Sequence, residues 1–264
     1  MPAPTLPTIL AATRQRLEAL RPAIRDLERR AAKAPTPRAF GPALGGGAVA
    51  VIAEVKRRSP SAGAIREALD PVATARAYVA GGAVAVSVLT DEPHFGGSLA
   101  DLEAVARAVT VPVLRKDFIL DELQLLEARA AGASAVLLIV RALDDADLAA
   151  LAQSARGLGL GTLVEAHDEK ELDRALAVDP SAVGINSRDL DTFAVDLGTA
   201  ERLLARVPPG VAAVAESGIE TRADVERLAR AGADLVLVGT AVARVPDPEQ
   251  AVRGLVGIKR KRRT

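Results

Sequence analysis

The stretch that decides the fold is Val51–Gly63, VIAEVKRRSPSAG. It begins as an apolar strand, and two opposite charges, Glu54 and Lys56, then interrupt the apolar run. Alternate side chains of a strand point to the same face, so both charges share a face with Ile52. Burying a carboxylate and an ammonium costs free energy unless they are paired or used in chemistry. This strand end is therefore either a structural ion pair or part of a functional site.

The same pattern of apolar strand, loop and helix repeats along the chain from residue 49 onward. Strands that are apolar on both faces are typical of a parallel sheet covered by helices. Eight such units favour an α/β fold of the closed (β/α)₈ TIM-barrel type over a doubly wound open sheet, which would need a GxGxxG turn after its first strand. The predicted strands are 49–56, 83–89, 112–116, 135–140, 161–165, 182–186, 211–216 and 234–238.

The N-terminal part of the chain has a different pattern. Apolar residues recur at helical spacing over residues 5–33, and a linker rich in proline and glycine follows at 34–47. We therefore predict an N-terminal helical extension and linker at 1–48 and a barrel catalytic domain at 49–264. The apolar stripe of Ile9, Leu17, Leu20 and Ile24 leads us to expect that one long helix folds over the barrel mouth.

Composition limits the classes of function. The net charge is zero, so no strong field attracts nucleic acid, and no apolar run has the length of a membrane helix. Cysteine is absent and aromatic residues make up 2% of the chain, which predicts an aliphatic core without disulfides. The two histidines lack metal-ligand spacing, so we predict no metal site. We expect a cytoplasmic protein with a small-molecule ligand, neither nucleic acid nor membrane as partner, and no secretory signal.

Charged and polar residues stand at the ends of five predicted strands. Active sites of this barrel lie at the carboxyl ends of its strands, so these side chains should converge on one site. Lysine and asparagine are rare in this chain, which makes their placement at strand ends notable. We expect two lysines at one apolar mouth to have lowered pKa values, suited to acid catalysis. The residues are Glu54, Lys56, Lys116, Glu165, Asn186, Arg188, Glu216 and Ser217.

The last two units carry a second signal. Ser217 and Gly218 follow strand seven, and Gly239 and Thr240 follow strand eight. Backbone N–H groups in these two loops form the usual phosphate-binding site of the fold, and glycine lets the backbone approach an anion closely. The sequence therefore predicts that the ligand carries a phosphate group.

Eight segments in order resemble the indole-3-glycerol phosphate synthase family of tryptophan biosynthesis. The resemblance covers the whole predicted barrel and the helical extension before it also suits the family. The segments are AEVKRRSPSAG, SVLTDEPHFGGS, VLRKDFILDELQ, GASAVLLIV, LVEAHDEKEL, GINSRDL, VAESGI and LVGTAV.

The resemblance implies a carboxy-lyase without cofactors. Its substrate would be 1-(2-carboxyphenylamino)-1-deoxyribulose 5-phosphate, and its products indole-3-glycerol phosphate, carbon dioxide and water. By the family pattern Lys116 is the general acid of ring closure and Glu165 the general base of dehydration. Lys56, paired with Glu54, would hold the substrate carboxylate and assist loss of the hydroxyl group.

The resemblance also assigns the remaining site residues. Asn186, Arg188 and Glu216 would orient the sugar hydroxyls and the catalytic groups. The phosphate would bind Ser59, Ser217, Gly218, Gly239 and Thr240, and the anthranilate ring would pack on Phe95, Phe118 and Leu137. The sequence departs from the family pattern at Ser187, Thr240 and His94, and we expect Ser187 and Thr240 to keep hydrogen-bonding roles.

Two alternatives belong to other classes. A sugar-phosphate isomerase such as phosphoribosylanthranilate isomerase could use the same barrel, although it needs no second lysine. A regulatory barrel that binds a sugar phosphate without catalysis would not need Lys116 as an acid. For the oligomeric state we expect a monomer, with a weak homodimer as the alternative.

Overall fold

The computed structural model describes residues 5–41, 44, 46–61, 63–189 and 192–263. Within this part of the chain eight parallel strands close into a barrel, each strand pairing with the next and the eighth with the first. The predicted (β/α)₈ TIM barrel is confirmed. The strands are β1 Ala50–Val55, β2 Ala85–Leu89, β3 Val113–Lys116, β4 Ala135–Ile139, β5 Gly161–Ala166, β6 Ala182–Asn186, β7 Ala212–Glu216 and β8 Leu235–Val238.

Helices follow the strands in the order that the sequence predicted. Short helices stand in the loop after β2 and directly after β8, and a two-stranded hairpin, Arg58–Ser59 with Gly63–Ala64, lies in the loop after β1. The helices are α1 Leu6–Leu20, α2 Ile24–Lys33, α3 Pro71–Ala80, α4 Glu92–Phe95, α5 Leu99–Ala108, α6 Glu122–Ala130, α7 Asp145–Gly157, α8 Glu169–Ala177, α9 Leu197–Leu204, α10 Arg222–Ala231, α11 Thr240–Ala243 and α12 Pro248–Leu255.

Side-chain caps fix where the barrel helices begin. An N-cap carboxylate or hydroxyl accepts a hydrogen bond from the first turn, which satisfies a backbone donor that the helix itself cannot. After three of the helices, glycines with positive φ (Gly82, Gly132 and Gly232) return the chain to the next strand. The caps are Asp70, Ser98, Asp121, Asp144, Asp168, Asp196, Thr221 and Asp247.

The expectation of one N-terminal helix over residues 5–33 is wrong. The helix ends at Leu20, a 3₁₀ turn spans Arg21–Ala23, and a second helix begins at Ile24. Pro22 explains the break, because proline lacks the backbone N–H that a continuous helix needs. Ile24, expected in the apolar stripe, is 43% exposed. The linker prediction includes Pro42 and Gly45, which lie outside the described residues.

The two halves of the extension pack in different places. Helix α1 buries Leu6 and Ile9 in the apolar cluster that also holds the inward side chains of the barrel. Helix α2 lies along α6, where its Leu27 packs on Leu123 together with Leu17 from the end of α1. The first half therefore reaches the barrel interior, and the second half anchors it to the outer helical layer.

The core is aliphatic, as predicted, and has two layers. Valine, leucine and alanine fill the space between strands and helices, while a second cluster lies inside the barrel. The inner cluster contains Phe40 from the linker, and a Cβ atom built on Gly161 would lie 2.9 Å from the Phe40 Cβ. Phe40 thus fills the amino-terminal end of the barrel, which leaves the carboxyl end for the site.

Candidate active site

A cavity of about 440 Å³ lies at the carboxyl ends of the strands, at the barrel mouth. All fifteen site residues suggested by the sequence line it, on the eight strands or the loops that follow them. They are Glu54, Lys56, Ser59, Phe95, Lys116, Phe118, Leu137, Glu165, Asn186, Arg188, Glu216, Ser217, Gly218, Gly239 and Thr240.

A lysine and two carboxylates form the centre of this cavity. The Lys116 Nζ lies 3.4 Å from Glu165 Oε2 and 3.4 Å from Glu216 Oε2. Lys116 ends β3, whereas the carboxylates belong to β5 and β7, so barrel closure is what brings the three together. Arg115 points outward, as the alternation of a strand requires, and contacts Gln124 and Glu127 of α6.

The electrostatics of this cluster overturn one expectation. Burial opposes the charge of Lys116, but the carboxylates of Glu165 and Glu216 outweigh it, so the pKa of Lys116 is raised rather than lowered. Burial likewise favours a neutral Glu165, yet Lys116 and a neighbouring histidine hold the pKa of this carboxyl well below its usual range. The predicted lowering of the Lys116 pKa does not occur, because two carboxylates lie 3.4 Å from its ammonium group.

Glu216 has the opposite perturbation. Burial raises the pKa of Glu216 to about 8, and the negative charge of Glu165 adds to the rise, while Lys116 opposes it. One lysine cannot neutralise two adjacent buried carboxylates, so the pair shares its charge unequally. Glu216 is therefore the carboxyl that takes up a proton more readily, and Glu165 is the one that stays ionised.

Neighbouring residues fix where the two carboxylates point. Asn186 Nδ2 donates to Glu165 Oε1 at 3.1 Å, and its Oδ1 accepts from the backbone N–H of Arg188 at 3.0 Å, which sets the orientation of the amide. Gly184 lies beneath Glu216, since a Cβ atom built there would stand 2.0 Å from Glu216 Oε1. The missing side chain of Gly184 provides the space that this carboxylate occupies.

A second charged pair lies at the end of β1. Lys56 Nζ is 2.9 Å from Glu54 Oε1, and Glu54 Oε2 accepts a hydrogen bond of 3.5 Å from Ser87. The ion pair predicted from the first strand is therefore present, and it lines the cavity. Gly239 packs against it, because a Cβ atom built there would lie 2.5 Å from Glu54 Oε1. Glycine at position 239 therefore leaves room for the ion pair, in addition to its expected role in the loop after β8.

The loops after β7 and β8 form one wall of the cavity. Ser217 and Gly218 both adopt left-handed backbone, with φ of 66° and 69°, and Thr240 opens the short helix α11. A Cβ atom built on Gly218 would lie 2.5 Å from Val195, so a larger residue there would collide with the loop after β6. The buried Ser187 Oγ has no hydrogen-bond partner among the described residues, contrary to the expectation for that position.

Apolar side chains form the opposite wall. The rings of Phe95 and Phe118 lie 6.4 Å apart and are tilted by 40°. Leu137 of β4 lies beside them in the cavity lining, and Leu6 and Ile9 of helix α1 join the same lining. This wall suits a flat aromatic group, and the N-terminal extension completes it.

Sequence reasoning missed the charged network behind β3. Asp117 accepts hydrogen bonds from Thr90 at 2.6 Å and from Arg115 at 2.9 Å, and Arg16 of helix α1 reaches it at 3.3 Å. The residues on either side of Lys116 carried the signal, because opposite charges at positions 115 and 117 fall on the same side of an extended chain and can pair. The network ties helix α1 to the strand that carries Lys116.

Within the described residues, no group of three histidine, cysteine, aspartate or glutamate side chains has an arrangement that could hold a metal ion. None of the described helices has the length and apolar character needed to span a membrane. The donor set at the mouth is therefore a lysine and carboxylate set.

The fold and the mouth define a (β/α)₈-barrel enzyme equipped for proton transfer. The family model for indole-3-glycerol phosphate synthase matches residues 6–255. A curated relative of that name from a Nocardioides species is 56% identical over 209 residues, 79% of this chain and 80% of its own length. Another, from Micrococcus luteus, is 51% identical over 89% of this chain and 92% of its own. The chain belongs to the indole-3-glycerol phosphate synthase family.

This membership makes it a carboxy-lyase of tryptophan biosynthesis, so the isomerase and the non-catalytic barrel are both wrong. Among solved structures, a 3-hexulose-6-phosphate synthase superposes with a TM-score of 0.61 at 19% identity, covering 78% of this chain and 98% of that one. That likeness concerns the barrel alone.

The Gly184→Ala variant tests the space beneath Glu216. The added methyl group would displace the Glu216 carboxylate from Lys116, and we expect kcat to fall about 10- to 100-fold, as for other misplaced catalytic groups. Steady-state kinetics measures the loss. Gly157→Ala in helix α7 is the matched control, since an added Cβ meets nothing within 4 Å there. Full activity of Gly184→Ala would show that Glu216 does not need its present position.

Proposed function

We propose that this chain closes the indole ring of 1-(2-carboxyphenylamino)-1-deoxyribulose 5-phosphate, releasing one carbon dioxide and one water, with the fifteen cavity residues in the roles below. The observation that carries the proposal is Lys116 between Glu165 and Glu216, facing the Glu54–Lys56 pair across one cavity. Ring closure needs an acid at the ketone oxygen, and dehydration needs a base and a second acid. Lys116 with its two carboxylates and the Glu54–Lys56 pair supply these acids and the base.

Lys116 is the acid of ring closure in this proposal. As the aromatic carbon attacks the ketone, negative charge develops on the carbonyl oxygen, and an alkoxide is more basic than an amine. A lysine with a raised pKa still transfers its proton downhill to that oxygen, and its charge stabilises the oxygen beforehand. Loss of the carboxylate as carbon dioxide then restores the aromatic ring.

Glu165 and the Glu54–Lys56 pair serve the second half of the reaction. Glu165 is the only one of the two central carboxyls with a lowered pKa, so it is the ionised base that removes the ring proton. Lys56, just beyond the end of β1, lines the same cavity, and there it binds the substrate carboxylate and assists departure of the hydroxyl group. Glu54 holds the Lys56 ammonium in place at 2.9 Å.

The remaining residues bind the two ends of the substrate. The wall formed by Ser59, Ser217, Gly218, Gly239 and Thr240 takes the phosphate, with backbone N–H groups as the main donors. The apolar wall packs against the anthranilate ring. Phosphate binding far from the reacting bonds provides energy for positioning. The wall residues on the ring side are Phe95, Phe118 and Leu137. Asn186, Arg188 and Glu216 orient the sugar hydroxyls and the catalytic groups.

The proposal includes the organisation of the chain. Residues 1–48 form an extension and linker that completes the cavity, and residues 49–264 form the catalytic barrel. The aliphatic, cysteine-free composition and the biosynthetic activity of the family favour a cytoplasmic protein. We propose a monomer, with a weak homodimer as the alternative. Analytical ultracentrifugation distinguishes the two states.

The division of labour between Lys116 and Glu165 can be tested by measuring carbon dioxide and indole separately in single turnovers. Lys116→Ala should lower kcat by about 10²- to 10⁴-fold, the usual range for an acid or base, with little change in KM. Lys116→Arg should recover little, because a guanidinium does not release its proton. Glu165→Gln should release carbon dioxide while the indole product fails to appear.

Two results would contradict this division. One is equal suppression of carbon dioxide and indole in Glu165→Gln, and the other is near-normal turnover by Lys116→Arg. Phosphate affinity, measured for each variant, is the control that the cavity remains intact, since neither side chain belongs to the phosphate wall.

The role of helix α1 is tested with two isoleucines. Ile9 is 5% exposed and lines the cavity, whereas Ile24 is 43% exposed and does not. Ile9→Ala should raise KM about tenfold, since lost apolar contact in a pocket is worth that much, and should change kcat less. Ile24→Ala should leave both constants unchanged. Equal KM values for the two variants would mean that the helix only packs on the barrel.

A further inference from the structure

One histidine stands directly behind the proposed base. His167 follows β5 by one residue, and its side chain is 3% exposed. Its Nε2 lies 3.3 Å from Glu165 Oε1, and its Nδ1 lies 2.9 Å from Glu171 Oε2. The imidazole does not line the cavity, so it cannot touch a substrate bound there. Any effect of His167 on the reaction must pass through Glu165.

Other side chains hold this imidazole in place. Glu171, in the first turn of α8, accepts from the backbone N–H of His167 at 2.8 Å as well as contacting its ring. Arg141, after β4, donates to the other oxygen of Glu171 at 2.8 Å. Arg141, Glu171, His167 and Glu165 therefore form a chain of alternating charge that runs from the rim of the barrel to the cavity.

The charges around His167 favour its protonated form. Burial would lower the pKa of His167, but its contacts with Glu165 and Glu171 raise that pKa to about 9. On the side away from His167, Glu165 faces Lys116 of β3, the amide of Asn186 of β6 and the carboxyl group of Glu216 of β7, whose raised pKa favours its neutral form. Glu165 thus lies between two cations, one in the cavity and one behind it.

We propose that His167 is a positioning residue, a fixed imidazolium behind Glu165 that orients this carboxylate and keeps it ionised when Lys116 gives up its proton. The proposal rests on the role of Glu165 as the base. If Lys116 alone balanced Glu165, proton transfer to the substrate would leave a bare buried carboxylate beside a neutral amine, and its pKa would rise. The second cation keeps the base available for the dehydration step.

The His167→Asn variant tests this role, with His94→Asn as the matched control. His94 has the same arrangement of Nδ1 against an acid, 2.9 Å from Asp91, but it does not contact Glu165. We expect His167→Asn to lower kcat about 10- to 100-fold with KM unchanged. The acid limb of its kcat profile should move up by about one pH unit, because the carboxylate loses a nearby opposite charge.

The profile of His94→Asn should keep its acid limb at the position of the parent protein. The difference between His167→Asn and the parent should shrink above about pH 9, where the parent histidine also becomes neutral. An unmoved acid limb in His167→Asn, or a rise in KM without loss of kcat, would overturn the proposal.

A second variant, Glu171→Gln, tests the same role if His167→Asn fails to fold. Glu171→Gln keeps an acceptor oxygen for the ring but removes the charge that raises the pKa of His167. Its kcat should match the parent at low pH and approach that of His167→Asn near neutral pH. A profile identical to that of the parent over the whole range would contradict the role assigned to this chain of charges.

An NMR titration of His167 separates this proposal from the proposed function. In the parent protein the imidazole should stay protonated to about pH 9, and Glu165→Gln should lower that midpoint. A midpoint at the ordinary histidine value would overturn the positioning role whatever the activity. Failure to convert the carboxyphenylamino substrate, with the raised midpoint present, would instead reject the proposed function.

Discussion

The contact on which the site depends is that of Lys116 on β3 with two carboxylates from β5 and β7, neither of which is a neighbour of β3 in the barrel. Three ionisable groups in a buried position cost free energy, which is recovered only if each charge is balanced. One cation cannot balance two anions, so Glu216 takes a raised pKa while Glu165 stays ionised. Two glutamates thus provide different groups: Glu165 is an ionised base, and Glu216 is a carboxyl that is more easily protonated.

Small residues of the strands make this arrangement possible. Gly184 leaves the space that the Glu216 carboxylate occupies, and Gly239 lets the end of β8 approach the Glu54–Lys56 pair. At the other end of the barrel the lack of a side chain at Gly161 leaves space for Phe40. An aromatic ring from the linker therefore closes the interior there. Because apolar side chains fill the interior at the amino-terminal end, the polar residues at the mouth pack directly on the barrel core.

Much of this could be predicted from the sequence. The repeat of apolar run, loop and helix located the eight strands, and the convergence of strand ends in a barrel placed all the expected residues in one cavity. The pKa of Lys116 was misjudged because the sequence shows which residues end the strands but not the distances between them. Pro22 indicates a break in the N-terminal helix, whereas the apolar stripe taken alone favours one continuous helix.

His167 and Gly184 show a different limit. A glycine in a strand does not indicate which neighbouring side chain occupies the space it leaves. Only the structure shows that the Glu216 carboxylate occupies the space at Gly184. His167 follows Glu165 by two residues, so it continues the same face of the chain, but a lone histidine after a strand has no pattern that names its partners. Their importance depends on contacts between elements, which spacing along the chain does not specify.

The central claim is that the buried pair of carboxyls holds one proton at neutral pH, located on Glu216. Infrared difference spectroscopy of the titrating protein measures this directly, because a protonated carboxyl absorbs separately from a carboxylate. We expect a buried carboxylic acid band that disappears with a midpoint near pH 8 and is absent from Glu216→Gln. Absence of the band at pH 6, or its persistence in Glu216→Gln, would contradict it.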